Sequence, residues 1–159
     1  MDISIRKGKQ EDIPELFRLI RELAAFENAT AEVTLTVEEL SSAFSDAEKA
    51  FDFFVAEQNN KILGIALFYD TFSTWKGKSM HLEDLIVEQK HRHQGVGKAL
   101  LQQVINEADR KNVNRLSWQV LDWNKNALTF FQKYMPVVEE NWNWCMLDQN
   151  QIKELTLHS

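Results

Sequence analysis

One stretch restricts the fold more than any other: residues 81–101, His-Leu-Glu-Asp-Leu-Ile-Val-Glu-Gln-Lys-His-Arg-His-Gln-Gly-Val-Gly-Lys-Ala-Leu-Leu. Residues 81–87 alternate and are rich in branched side chains, which predicts a strand buried on at least one face. From Val96 the apolar residues fall at Val96, Leu100, Leu101, Val104, Ile105 and Ala108, the spacing of one helical stripe, so a helix begins near Gly95. The connection, Arg92-His-Gln-Gly95-Val-Gly97, holds two of the five glycines of the chain. Glycines at a helix N-terminus let the backbone approach a ligand, and the N–H groups of that turn, with the positive dipole end, suit an anion such as phosphate. On spacing alone, an αβ turn whose glycines serve geometry only fits equally well.

The 159 residues, 44% of them apolar, suit a single domain with its own core. Met1-Asp2 leads into alternating Ile3, Ser4 and Ile5, with no basic-apolar leader, and no run approaches the ~18 apolar residues of a membrane span. A cytoplasmic protein without a membrane partner is expected. The one cysteine, Cys145, excludes an internal disulfide and a cysteine cluster, and is expected to be a packed strand residue. A net charge of −6, from 24 acidic and 18 basic residues, argues against nucleic acid, whose phosphates need clustered Lys and Arg. It suits a cationic small molecule, although an acidic surface also serves solubility alone.

In chain order, residues 3–6 read as a short strand. Ile13, Leu16, Phe17, Ile20, Leu23 and Ala24 mark an amphipathic helix from Glu11 to near Asn28, with Pro14 in its first turn. Thr36-Val-Glu-Glu39 has capping-box spacing and predicts a helix over 36–44. Residues 51–57 and 61–69 read as strands joined by Gln58-Asn59-Asn60, a connection short enough for a hairpin, with Gly64 interrupting the second. Residues 71–78 read as a loop carrying an exposed Trp75. Residues 115–121 form another strand, Asn124 caps a helix with Ala127, Leu128, Phe131 and Tyr134 on its apolar face, and residues 142–147 close as a last strand. Six strands and about four helices in this order predict a mixed α/β (α+β) fold, one sheet with helices on its faces.

Arg92-His-Gln-Gly95-Val-Gly97, at a strand-to-helix turn, matches the acetyl-CoA signature of the GNAT superfamily of N-acetyltransferases. Within that superfamily the chain resembles the diamine (spermidine/spermine) and thialysine acetyltransferases over nearly its whole length: in residues 18–27, Trp75-Lys-Gly77-Lys, Leu82-Glu83-Asp84 and Trp123-Asn124. The resemblance implies a mostly antiparallel central sheet, acetyl-CoA as co-substrate, a small amine as acceptor, and a homodimer, to which the five tryptophans and ten phenylalanines add an aromatic surplus. It places the pyrophosphate of coenzyme A on the loop of Arg92, His93, Gln94, Gly95, Val96, Gly97 and Lys98. The pantetheine arm falls along Leu85, Ile86 and Val87 like an added strand, and Asn124, Ala127 and Phe131 complete the cofactor wall. Phe26, Glu27, Trp75, Glu83, Asp84 and Glu140 line the amine groove, where acidic and aromatic groups suit a polycation.

Acetyl transfer needs a neutral amine, yet an alkyl ammonium with a lysine-like pKa is only about 0.04% neutral at pH 7. The resemblance makes Glu83 the proton acceptor; on sequence alone it reads equally as a surface strand residue in an ion pair. Simple alternation places Asp84 on the opposite strand face from Glu83. His91 and His93 form an H-x-H pair with no third ligand nearby, so no metal is expected. Two other activities fit the same motifs: an acetyl-CoA-binding module with little turnover, and an acetyltransferase acting on peptides. Turnover of free amines separates the first, and activity on peptides rather than diamines the second.

The chain departs from its relatives on the last predicted helix. Met135 stands where they have glycine, and Thr129-Phe130-Phe131 stands where they have Asn-Phe-Tyr, with the tyrosine near the coenzyme A sulfur. A thiol of cysteine-like acidity, about 8.5, leaves as thiolate without full protonation. General acid help is worth roughly 10²–10⁴-fold. Phe131→Tyr is therefore expected to raise turnover of a good amine, and Tyr134→Phe to change it little; loss of activity in Tyr134→Phe with no gain in Phe131→Tyr would show that the acid has moved along the chain.

Overall fold

A computed structural model describes residues 3–157. The chain divides into two compact units, Met1–Gln119 and Val120–Ser159. In the first, five strands form one sheet in the order β1-β2-β3-β4-β5: β1 Ser4–Lys7, β2 Asp52–Gln58, β3 Lys61–Ser73, β4 Gly77–Val87 and β5 Arg115–Trp118. The first four pair antiparallel and β5 runs parallel to β4. A parallel pair cannot be joined by a tight turn, and the helix α3, Val96–Arg110, supplies the crossover.

The turns follow from local chemistry. Asn59 and Asn60 both take positive φ, 51° and 60°, a conformation asparagine tolerates better than most residues and one that matches the twist of a two-residue hairpin. The expected loop at 71–78 is mostly strand: Thr71 pairs Ser79, Phe72 pairs Lys78 and Ser73 pairs Gly77. Only residues 74–76 turn, where the Ser73 hydroxyl accepts from the Trp75 and Lys76 amides at 3.2 and 3.1 Å and Gly77 supplies a φ of +81°.

Helices α1, Ile13–Phe26, and α2, Val37–Ser45, cover one face. Their Ile13, Leu16, Leu19, Leu40 and Phe44 form one core with Phe53, Val55, Ile65, Leu67 and Ile86 of the sheet. The alternate residues serve the other face: Phe54 stacks on Phe68 at 5.2 Å, and Lys111, at the end of α3, lies over Phe68. The box at Thr36 forms as expected, with Glu39 N–H donating to Thr36 Oγ1 at 3.2 Å and Thr36 N–H to Glu39 Oε2 at 2.8 Å. Arg6 ties β1 to the entry of α1: its guanidinium donates to both oxygens of Asp12 and to Glu57, and that bond holds the Asp12 carboxyl below its ordinary range.

In the second unit, α4 is Lys125–Gln132, with Asn124 Oδ1 accepting from Ala127 N–H at 3.2 Å as a cap. The expected last strand is corrected: residues 142–147 form no strand, and Cys145 is exposed rather than packed. Trp142, Trp144 and Met146 alternate as a strand would, but alternation is only a preference for a pleated surface, and no described residue pairs with theirs in a ladder; they are 67%, 73% and 74% exposed. A fifth helix follows, α5 Gln149–Leu157. Its start is a reciprocal box, Gln151 N–H to Asp148 Oδ1 and Asp148 N–H to Gln151 Oε1, both 2.9 Å.

Gly64 lies where the backbone of β4 leaves no room for a side chain. A Cβ there would lie 2.5 Å from the Ile86 carbonyl oxygen and 3.3 Å from Leu100 of α3. Because backbone cannot yield as a side chain does, Gly64→Ala is expected to cost about 1–3 kcal/mol; urea unfolding of the two proteins checks this, and equal midpoints would contradict it.

Candidate active site

The central strand is irregular at one place, and the site is built there. Tyr69 pairs with His81, Phe68 with Leu82, and Leu67 with Asp84, so Glu83 is an extra residue opposite no partner. This is a β-bulge. Cross-strand partners share a face; Tyr69 and Leu67 both face α1 and α2, so His81 and Asp84 do as well. Glu83 joins them, since Tyr69 Oη donates to its Oε2 at 2.8 Å. The expectation that Glu83 and Asp84 lie on opposite faces is therefore corrected: the bulge breaks the two-residue period and aims both carboxylates the same way.

A polar chain runs across three strands. His81 Nε2 is 3.5 Å from Glu83 Oε2, His81 Nδ1 is 2.9 Å from Ser117 Oγ of β5, and the Tyr69 and His81 rings lie 5.5 Å apart. Burial, then the Glu83 carboxylate, pushes the Tyr69 hydroxyl up to about 12, so it stays protonated and donates throughout the neutral range. Asp84 is pushed up to about 7, first by burial and then by the negative charges of Glu83 and of Glu27. Glu27, the C-cap of α1, is itself raised by burial. Three carboxylates thus converge from β4 and the end of α1.

Beyond the bulge β4 has an open edge. Its ladder with β5 covers residues 79–82 against 115–118, so on that side Glu83, Asp84, Leu85, Ile86 and Val87 have no strand partner among the described residues. The glycine loop follows. His93 and Gly95 take positive φ, 61° and 86°; Gly95 is the N-cap of α3, with no side chain capping the first turn, and a Cβ built on it meets nothing within 4 Å. Space and free amide groups therefore coincide at the positive end of a helix of 15 residues. Val96 is buried, Gly97 half-buried and Lys98 exposed, while Gln94 Nε2 donates back to the Lys90 carbonyl. Arg92 turns away from the loop: its Nε donates to the Val87 carbonyl at 3.0 Å and its guanidinium lies 5.2 Å from the centre of the Phe26 ring.

Other expected site residues lie elsewhere. Trp75 is in the β3–β4 turn, 79% exposed, past Ser73 and Gly77 and so at the far end of the ladder from the bulge. Asn124, Ala127, Phe131 and Glu140 belong to the second unit; Phe131 packs edge-on to Phe130, and Tyr134 falls after the last residue of α4 with its ring beside Phe130. Glu140 is exposed in an irregular segment. His91 pairs with Glu88 at 3.5 Å while His93 is exposed, and no group of three metal-ligating side chains occurs among the described residues. Tyr69, His81 and Ser117 were not anticipated. Counting back from the turn at 74–76 places Tyr69 opposite His81, so the signal lay in the hairpin register rather than in any motif.

The raised Asp84 acid has a stability consequence. An acid held above its unfolded value favours folding below that value and loses this contribution as pH rises toward the folded one. Asp84→Asn is therefore expected to melt above the wild type at pH 8, with the difference closing as pH falls toward about 4; circular dichroism melts at the two pH values check it, and equal melting at pH 8 would contradict it.

Comparison with known proteins gives this arrangement its setting. Residues 14–135 match the acetyltransferase (GNAT) family. The chain is 33% identical over 138 residues to a thialysine N-epsilon-acetyltransferase of Bos taurus, covering 82% of this chain and 81% of that one. It is 37% identical over 117 residues to the same-named protein of Caenorhabditis elegans, covering 74% and 72%. Among solved structures, an integron cassette protein from the mobile metagenome of V. cholerae superposes with a TM-score of 0.79 at 20% identity over 98% of both chains. An aminoglycoside acetyltransferase from an uncultured soil metagenomic sample does so at 0.75 and 23%, over 92% and 95%. These last two share the fold. No helix among the described residues is long and apolar enough to cross a membrane. With the matched segment running from the first turn of α1 past the end of α4, this chain belongs to the GNAT family of acetyltransferases.

Proposed function

We propose that this protein transfers the acetyl group of acetyl-CoA to a primary amine of a small cationic substrate, a diamine, a polyamine or a thialysine-like amine. The observation that carries the reading is the convergence of Glu27, Glu83 and Asp84 beside the open edge of β4. Amines with a second positive charge suit it, because one ammonium can neutralise Asp84 and Glu27 while the other reaches Glu83. The names of the relatives above, thialysine N-epsilon-acetyltransferases, support the same substrate class.

The residues fit the co-substrate. The uncapped first turn of α3 and the open space before Gly95 suit a pyrophosphate on the amides of His93 to Lys98. Leu85, Ile86 and Val87 offer strand-edge groups to an extended amide chain. Acetyl-CoA supplies the activated acyl group. Glu83, half-exposed, takes a proton from the ammonium directly or through water; Tyr69 holds the carboxylate by its hydrogen bond; Asp84 and Glu27 hold the distal cation. Arg92 acts as a support beneath the loop rather than as a phosphate ligand. The chemistry assigns no role to a metal or to nucleic acid, and the reading includes a cytoplasmic homodimer.

The test is acetyl transfer to a panel of free diamines, polyamines and thialysine, read by mass. Glu83→Gln is expected to lower kcat by roughly 10²–10⁴-fold, and Gly97→Glu to abolish acetyl-CoA binding in calorimetry by clash and like charge while the fold persists. Unchanged affinity in Gly97→Glu, or acetylation of peptides in preference to every free amine, would overturn the reading.

A further inference from the structure

We propose that His81 receives the amine's proton from Glu83, so that the base of this site is a Glu83–His81 pair held between Tyr69 and Ser117. The inference rests on the function proposed above and concerns the same site. Glu83 alone is an incomplete base: once it has taken a proton, the resulting acid must lose it before the next turnover. Its Oε2 has two neighbours, the Tyr69 hydroxyl at 2.8 Å and His81 Nε2 at 3.5 Å. Tyr69 already gives its proton to that hydrogen bond, and its phenol oxygen is too weak a base to take another. His81 Nε2 is the group able to take one.

The second ring nitrogen sets the direction. His81 Nδ1 lies 2.9 Å from Ser117 Oγ. With the proton on Nδ1 and the serine oxygen accepting, Nε2 presents its lone pair to Glu83. The step balances as follows. An N–H bond of the substrate ammonium breaks and an O–H bond forms on Glu83. That O–H breaks as an N–H forms on His81 Nε2, leaving a neutral amine, a carboxylate and an imidazolium. The neutral amine then forms the C–N bond as the C–S bond of the thioester breaks; coenzyme A leaves as thiolate, the second proton on the new amide nitrogen passes to that sulfur or to water, and the imidazolium releases its proton to water.

The ring lies among polar and acidic neighbours. The groups that touch His81 are Tyr69 from β3, Glu83 from β4 and Ser117 from β5; Glu83 and Glu27 both act on Asp84 at the same face. The side chain is 18% exposed against 50% for Glu83, which leaves the carboxylate at the mouth and the imidazole behind it. That order, amine to carboxylate to ring, is the order of the transfer.

The test uses the whole chain with saturating acetyl-CoA and an accepted amine. His81→Gln keeps a polar side chain but cannot carry the proton. The expected result is a kcat reduced about 10-fold or more, within the range of lost acid–base help, with the amine KM within about twofold of wild type and the acid limb of kcat/KM altered. Ser117→Ala should reproduce the loss in part, and nitrogen NMR of the wild type should show the Nδ1–H form of His81. A His81→Gln enzyme with wild-type kcat and pH profile, or an Nε2–H ring in the wild type at neutral pH, overturns the relay while leaving the acetyltransferase reading intact. A wild type inert toward every amine of the panel overturns that reading and the relay with it.

Discussion

The extra residue in β4 is the constraint on which the rest of the site depends. In a regular strand one of Glu83 and Asp84 would point to the α3 face, among Phe68 and Leu82, which are 2% exposed. An ionised carboxylate there would meet a desolvation cost that no partner offsets. The bulge removes the conflict by letting two consecutive residues face α1 and α2, and Leu85 then resumes the ladder opposite Ala66. Bulges also increase local twist, and the β4–β5 ladder stops at Leu82 and Trp118, directly before the bulge. The same backbone defect thus gathers the acids and ends the pairing that would otherwise close the edge.

Holding three carboxylates together works against the fold. Asp84 is raised to about 7, by burial first and then by the charges of Glu83 and Glu27. What holds the strand in place is apolar: Ile86 on one face and Leu82 on the other are buried, and Leu67, the partner of Asp84, is part of the core beneath α1. A cation placed among these carboxylates would replace a repulsion with an attraction.

The parts of the fold written in local chemistry were legible in the sequence. The 3.6-residue stripes of α1 and α3, the Thr36 box, the Asn59-Asn60 turn and the Asn124 cap each follow from a few neighbouring residues. The Asp148-x-x-Gln151 box at α5 is equally local. Strand 142–147 was misread because alternation in Trp142, Trp144 and Met146 records a preference, while a strand exists only where another strand accepts its hydrogen bonds. The site divides the same way. Glu83, Asp84 and the glycine loop are close in sequence and could be found by motif; Tyr69, His81 and Ser117 come together through register, and the bulge that turns Glu83 toward them leaves no mark in residue type.

Arg92 shows why the two halves of the site are physically one. Its Nε bond fixes the last carbonyl of β4 and its guanidinium lies against Phe26, the last residue of α1, next to Glu27 and therefore to the acid cluster. The bond to the strand end uses Nε–H alone and leaves the two terminal nitrogens of the guanidinium as further donors. The backbone amides at the start of α3 carry only partial charge, so their effect on an anion depends on geometry. That geometry is set by Gly95 at φ +86° and by the strand end that Arg92 holds. The cationic side chain thereby helps to orient the dipoles at the start of α3 while packing against the end of α1.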